Sequence, residues 1–239
     1  MRRLVFLPGF SEDESIFRNL RALLPPQHEQ LDVDYRPVLK DISWDELSID
    51  NFIPQLIDYY QIQSDDILIG HSTGGWFSYN IKALLGCNIC LIGAFSSARR
   101  TRGYKVIYKR KKLVKNLMRL GIIGPNLVRW RIVTKHRGKV SIPERKEAIR
   151  VWKETPNASI AKMFLLIDQT PLDDTIKADL RLHSKKDEIV FPPKSAPYVE
   201  LDGDHFGIST HAEEYAAEIN RWLNQLTSPQ MEMHYEEKV

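Results

Sequence analysis

Short apolar runs alternate along the chain with longer stretches in which apolar residues return every three or four positions. The first pattern predicts buried strands and the second amphipathic helices. Arg3 to Leu7 is an apolar run that ends at Pro8-Gly9-Phe10, and it predicts a strand. A helix is expected from Glu14 toward Leu24, with Ile16, Phe17, Leu20, Leu23 and Leu24 on one face. Ser11 to Asp13 supply its cap and Pro25-Pro26 its stop. Leu31 to Val38 predicts a second strand, with Val33 and Tyr35 alternating against Asp32 and Asp34. Ser48 to Tyr60 spaces Phe52, Leu56, Ile57 and Tyr60 for one helical face. A strand at Asp66–Ile69 leads into a helix at Thr73–Leu85, closed by Gly86, and Asn88–Phe95 is the next strand. Beyond residue 159 the pattern predicts an apolar helix at Ile160–Ile167 and strands at Asp179–His183 and Tyr198–Leu201. A last helix, His211–Leu226, buries Tyr215, Ile219, Trp222, Leu223 and Leu226.

Strands that alternate with helices imply an α/β fold: a mostly parallel central sheet with helices on both faces. The alternation breaks between residues 99 and 165, and this stretch is expected to form an inserted helical cap. The core is then 1–98 and 166–227, with a polar tail at 228–239.

Charge changes the picture only in the insertion. From Arg99 to Lys153 there are 19 Lys and Arg against two acids, Glu144 and Glu147. The remainder of the chain holds 15 basic and 29 acidic residues, so the formal net charge of +3 conceals a strong dipole. Such an asymmetry points to an anionic partner, either a lipid surface, an acidic carrier protein or a charged substrate head group. The alternative is a solvated helical surface. The aromatics of the segment are not interleaved for base stacking, which argues against nucleic acid.

The rest of the composition excludes classes of function. At 239 residues and 43% hydrophobic content the chain can bury a large core. The two cysteines, Cys87 and Cys90, flank the start of an apolar strand and read as packing residues. No run has the length of a transmembrane helix, no leader pattern follows Met1-Arg2-Arg3, and a cytoplasmic location is expected.

The chemistry concentrates at Gly70-His71-Ser72-Thr73-Gly74, which fits G-x-S-x-G between a predicted strand and a predicted helix. That turn pushes a serine hydroxyl out above the sheet edge, and glycines on either side avoid collisions with strand and helix. The helix start places free N–H groups beside Ser72, so the Thr73 N–H can face a developing oxyanion. In parallel sheets ligands bind outside the carboxyl ends of the strands. Ser72, Asp187 and His205 each follow a predicted strand, so one edge can gather all three. Glu188 is the rival acid, Asp202 and Asp204 read as turn formers, and His71 as a packed, hydrogen-bonded histidine. No metal-ligand spacing is present. Trp76, Trp130 and Trp152 read as core residues, with Trp130 and Trp152 alternatively lining an acyl pocket beneath the cap.

In these features the chain resembles the α/β-hydrolase superfamily, over nearly its whole length from Arg3 to Leu226. The order Ser72, Asp187, His205 is similar to the family's order of nucleophile, acid and histidine. HSKKDEIVFP looks like the acid loop, DGDHFG like the histidine loop, and LPGF like the oxyanion loop. Pro8 stands where a histidine is common before that glycine. The resemblance implies a catalytic triad of Ser72, Asp187 and His205 and an oxyanion hole from the N–H groups of Phe10 and Thr73. It implies a serine hydrolase that cleaves a carboxylic ester or thioester of a small-molecule acyl substrate, with no cofactor and no metal. The alternative is a non-hydrolytic binding or sensing member of the same fold.

Overall fold

The computed structural model describes residues 2–10, 12–95, 101, 147, 150–151, 153–167, 176–194 and 196–227. Trp130, Trp152 and most of the basic segment lie outside the described residues.

Among the described residues six strands form one sheet: β1 (Leu4–Leu7), β2 (Gln30–Asp32), β3 (Ile67–His71), β4 (Asn88–Ile92), β5 (Leu180–Ser184) and β6 (Val199–Leu201). Their order is β2-β1-β3-β4-β5-β6 and every pairing is parallel. Strand β3, which leads to Ser72, sits in the middle of the sheet, between β1 and β4. The inner strands β1, β3 and β4 read as near-continuous apolar runs because both faces of the sheet are covered there. Val5, Leu7, Leu68 and Leu91 join one core with Phe52, Phe77 and Leu166. Leu4, Phe6, Ile69 and Leu182 face the other way and meet Phe17, Tyr215 and Trp222. Helices on both faces are therefore a direct consequence of the period-two alternation within each strand.

The helices on the first face are α2 (Arg36–Asp41), α3 (Ile49–Tyr60), α4 (Thr73–Leu85) and α5 (Asn157–Ile167). The second face carries a 3-10 turn at Glu14–Phe17 that runs into α1 (Arg18–Arg21), then α6 (Gly207–Thr210) and α7 (Ala212–Thr227). Ser48 caps α3 by accepting the Asn51 N–H, and Asp13 accepts the Ser15 N–H at the start of the 3-10 turn. Helix α5 runs through residues 165 and 166 and buries Met163, Leu165 and Leu166 against the core. Its Lys162 Nζ donates to the carbonyls of Leu39 and Ile42 at the end of α2, so a buried amine satisfies two carbonyl oxygens there. Burial lowers the pKa of that amine.

Two expectations are corrected. The strand expected over Leu31–Val38 ends at Asp32, and residues 36–41 are helical. Asp34 Oδ1 accepts the Arg36 N–H at 2.9 Å, and Pro37 sits in the first turn of the helix, where its missing N–H is not needed. Val33 and Tyr35 are buried all the same, which is why they read as a strand. The strand expected to reach Phe95 ends at Ile92, because Gly93 turns the chain with φ of 52°. Cys87 and Cys90 are buried and unlinked, and burial pushes both thiols up, Cys87 to about 12, as packing residues require. Among the described residues no helix is long and apolar enough to cross a membrane.

Candidate active site

Ser72 stands between β3 and α4 with φ of 51° and ψ of −113°. An L-residue holds such a conformation at a penalty of about 1–3 kcal/mol, which the surrounding structure must offset. The flanking hydrogen bonds do so: Ser72 N–H donates to the Ile92 carbonyl at 2.9 Å, and β3 is paired on both sides. The hydroxyl makes no capping bond to α4, and the residue is buried to 6% exposure. Thr73 opens α4, and the first N–H groups of a helix have no intrahelical acceptor.

The start of α4 is pressed against the end of β1. A Cβ on Gly74 would lie 1.9 Å from the Leu7 carbonyl oxygen and 2.5 Å from that of Pro8. This contact brings the Pro8–Glu12 loop beside the serine. The loop is tied three ways. Tyr35 Oη donates to the Pro8 carbonyl at 3.0 Å, Glu12 N–H to the Gly9 carbonyl at 3.2 Å, and Gly9 N–H to Glu12 Oε2 at 2.6 Å. Phe10 follows Gly9, and its ring meets Phe164 of α5 edge-on at 6.4 Å.

Asp187 and His205 meet from two different loops. Asp187 follows β5, His205 follows β6, and His205 Nδ1 lies 2.8 Å from Asp187 Oδ2. The other oxygen of Asp187 accepts the N–H groups of Ile189 and Val190 at 2.8 and 2.9 Å. Burial alone would raise the Asp187 pKa, but the charge of His205 and these hydrogen bonds hold it below the ordinary carboxylate value. Burial alone would lower the His205 pKa. The charge and hydrogen bond of Asp187 outweigh it, with Glu12 and Asp204 adding to the shift, so His205 is raised above 6.5. The two directions agree: Asp187 is the ionised acceptor and His205 Nδ1–H the donor. Glu188, the rival acid, takes no part in this bond. Asp204 Oδ1 accepts the Phe206 N–H, as a turn former does. His183 Nε2 stands 3.9 Å from Asp187 Oδ2, too far for a hydrogen bond, and burial lowers its pKa.

Two residues that sequence patterns do not single out, Gly93 and Glu12, shape the site together with His71. Gly93 makes room for the acid–base pair: a Cβ there would sit 3.2 Å from Asp187 Oδ2 and 3.5 Å from His205 Nδ1. Only a glycine also takes its positive φ without strain. His71 and Glu12 form the other feature. His71 is fully buried, its Nε2 is 2.9 Å from the His205 carbonyl oxygen, and its Nδ1 is 2.7 Å from Glu12 Oε2. The residue before Ser72 is thereby bonded to the backbone of His205, which joins the two loops. His71 is the packed, hydrogen-bonded histidine that its position suggests, but Glu12 carries no signal in the sequence beyond its place near Gly9.

Among the described residues, one set of donors is close enough to suggest a metal: atoms of Glu12, His71 and His205 lie within 4.8 Å of one another. Both nitrogens of His71 and Nδ1 of His205 already face hydrogen-bond partners, so the set fits a hydrogen-bond network.

The sequence matches no protein-family model and no curated protein. Solved structures match over nearly the whole chain. A thermophilic esterase from Thermogutta terrifontis superposes with a TM-score of 0.70 at 15% identity, covering 95% of this chain and 91% of its own. A hydrolase from Oleispira antarctica gives 0.70 at 16% identity, over 94% and 91%. An epoxide hydrolase from Bacillus megaterium gives 0.66 at 14% identity, over 94% of both chains. The parallel sheet with helices on both faces, the strand-to-helix turn at Ser72 and these superpositions together make this an α/β-hydrolase-fold protein.

Proposed function

We propose that the protein is a serine hydrolase that cleaves a carboxylic ester or thioester through an acyl-enzyme. The fold does not choose the reaction, since structures of an esterase and an epoxide hydrolase match this chain about equally well. The observation that carries the reading is the buried Asp187–His205 hydrogen bond at the same sheet edge as a strained serine. A serine is a weak nucleophile until a base takes its proton, and a histidine oriented by a buried carboxylate is such a base.

In this reading Ser72 Oγ attacks the substrate carbonyl carbon and its proton passes to His205 Nε2. Asp187 fixes the Nδ1–H tautomer and stabilises the charged ring. The oxyanion is received by the N–H groups of Phe10 and Thr73, each such donor being worth ~10²–10³ in rate. The carbonyl re-forms as the bond to the leaving alcohol or thiol breaks, and His205 returns its proton to that group. Water then repeats the sequence and releases the acid. Trp130 and Trp152 are proposed to line the acyl pocket, and the basic segment to meet an anionic lipid surface, carrier protein or head group.

A fluorophosphonate probe tests the core of this proposal. Labelling of wild type but not of Ser72→Ala, with turnover on a panel of p-nitrophenyl esters and acyl thioesters, is the expected result. No labelling of the folded wild type would favour a non-hydrolytic binder or sensor on the same fold.

A further inference from the structure

The hydrogen bonds around Glu12 and His71 fix where protons must lie. His71 Nε2 faces the His205 carbonyl oxygen at 2.9 Å. A carbonyl oxygen only accepts, so Nε2 carries a hydrogen. Nδ1 faces Glu12 Oε2 at 2.7 Å, and a hydrogen bond there requires a proton between the two atoms. The same Oε2 also accepts the Gly9 N–H at 2.6 Å, and an oxygen that accepts from two sides is that of an ionised carboxylate, so the shared proton sits on Nδ1. The two side chains therefore hold two protons between them, one more than a neutral imidazole beside a carboxylate. The pair has no net charge, which suits a ring that is fully buried.

The three bonds connect the three segments that the proposed reaction needs in register. Gly9 precedes Phe10, His71 precedes Ser72, and the carbonyl belongs to His205 itself. Asp187 holds the His205 ring but not its backbone. We propose that Glu12 and His71 are positioning residues: a second carboxylate–imidazole pair, with its ring buried and its carboxylate partly so, sharing one proton, that holds the oxyanion loop and the histidine loop against the serine turn. This rests on the catalytic reading given above.

An amide cannot replace the carboxylate. Both bonds end on one oxygen, and no single amide atom both accepts the Gly9 N–H and donates to Nδ1. If the amide oxygen stands there, a protonated His71 loses its counter-charge. If the nitrogen stands there, it opposes the Gly9 N–H. Glu12→Gln therefore loosens the oxyanion loop while leaving all three triad side chains in place; it also removes one of the lesser charges that raise the His205 pKa.

The test combines a spectroscopic and a kinetic readout. In the full chain with ¹⁵N-labelled histidines at neutral pH, His71 should show N–H signals at both ring nitrogens. The assignment comes from the signals lost in His71→Gln or, where that variant does not fold, shifted in Glu12→Gln. On a p-nitrophenyl ester, Glu12→Gln should lower kcat by ~10–10² with KM changed less than about threefold, because misplaced donors act in the transition state. Fluorophosphonate labelling should slow in parallel. A single ring N–H on His71, or an unchanged kcat in folded Glu12→Gln, overturns the proposal. A wild type that neither labels nor turns over overturns the catalytic reading instead, while an active wild type with one N–H on His71 overturns the pair alone.

Discussion

His205 Nδ1 lies 2.8 Å from Asp187 Oδ2, and the Asp187 side chain has no exposed surface. Every oxygen of that carboxylate is engaged: one by the imidazole, the other by two backbone N–H groups. A carboxylate so held cannot reorient without breaking several charge-assisted bonds. It therefore sets the tautomer and the direction of the ring.

Asp187→Asn should lower kcat/KM by ~10³–10⁴, because the amide no longer selects the Nδ1–H tautomer. Circular dichroism should show the fold retained. Glu188→Gln should stay within a few-fold of wild type. Steady-state kinetics of the two variants decide between the acids, and the reverse pattern would assign the role to Glu188.

The pH profile follows from the two pKa directions. In the proposed mechanism His205 must be neutral to accept the serine proton, so kcat/KM should rise with pH. Since His205 is raised above 6.5, the midpoint of that limb should lie above 6.5 as well. In Asp187→Asn the largest charge opposing burial is gone and only the lesser ones of Glu12 and Asp204 remain, so the limb of the residual activity should move to lower pH. A wild-type profile flat from about pH 5 to 9 would remove His205 as the base, since an ordinary histidine titrates inside that range.

Gly74→Ala should be among the most damaging small substitutions in the chain. Its Cβ would meet the Leu7 carbonyl oxygen at 1.9 Å and the Leu7 carbonyl carbon at 2.5 Å, both backbone atoms of a central strand. Neither can step aside as a flexible side chain does. A loss of more than ~3 kcal/mol in denaturant unfolding, or failure to fold, is expected.

The basic segment predicts a separation of functions. Replacing Lys109, Arg110, Lys111 and Lys112 with glutamine should leave turnover of a small neutral ester intact. The same variant should bind anionic liposomes or an acidic carrier protein more weakly, mainly through a slower association rate. Raising salt from about 0.05 to 0.5 M should reproduce the effect in wild type, since screening shortens to a few ångströms. Equal binding at low salt would leave the charge as solvation alone.

The turn at Ser72 is legible in the sequence because its causes are local. A β-branched apolar run makes the strand, Thr73–Leu85 has the helical pattern, and Gly86 closes it with φ of 75°. Asp187 and His205 are legible for a topological reason: both follow strands, and parallel strands deliver their carboxyl ends to one edge. The stretch after Asp32 was not legible, because Val33 and Tyr35 are buried in an irregular turn that mimics a strand's alternation. Nor was the network at Glu12. Its bonds to His71 and from His71 to His205 span 59 and 134 residues, and no spacing encodes them. Local propensity and hydrophobic period thus determined the elements and the edge where the chemistry gathers. Only the tertiary structure decided which carboxylate faces which imidazole, because such hydrogen bonds depend on tenths of an ångström between segments that meet only after the sheet has assembled.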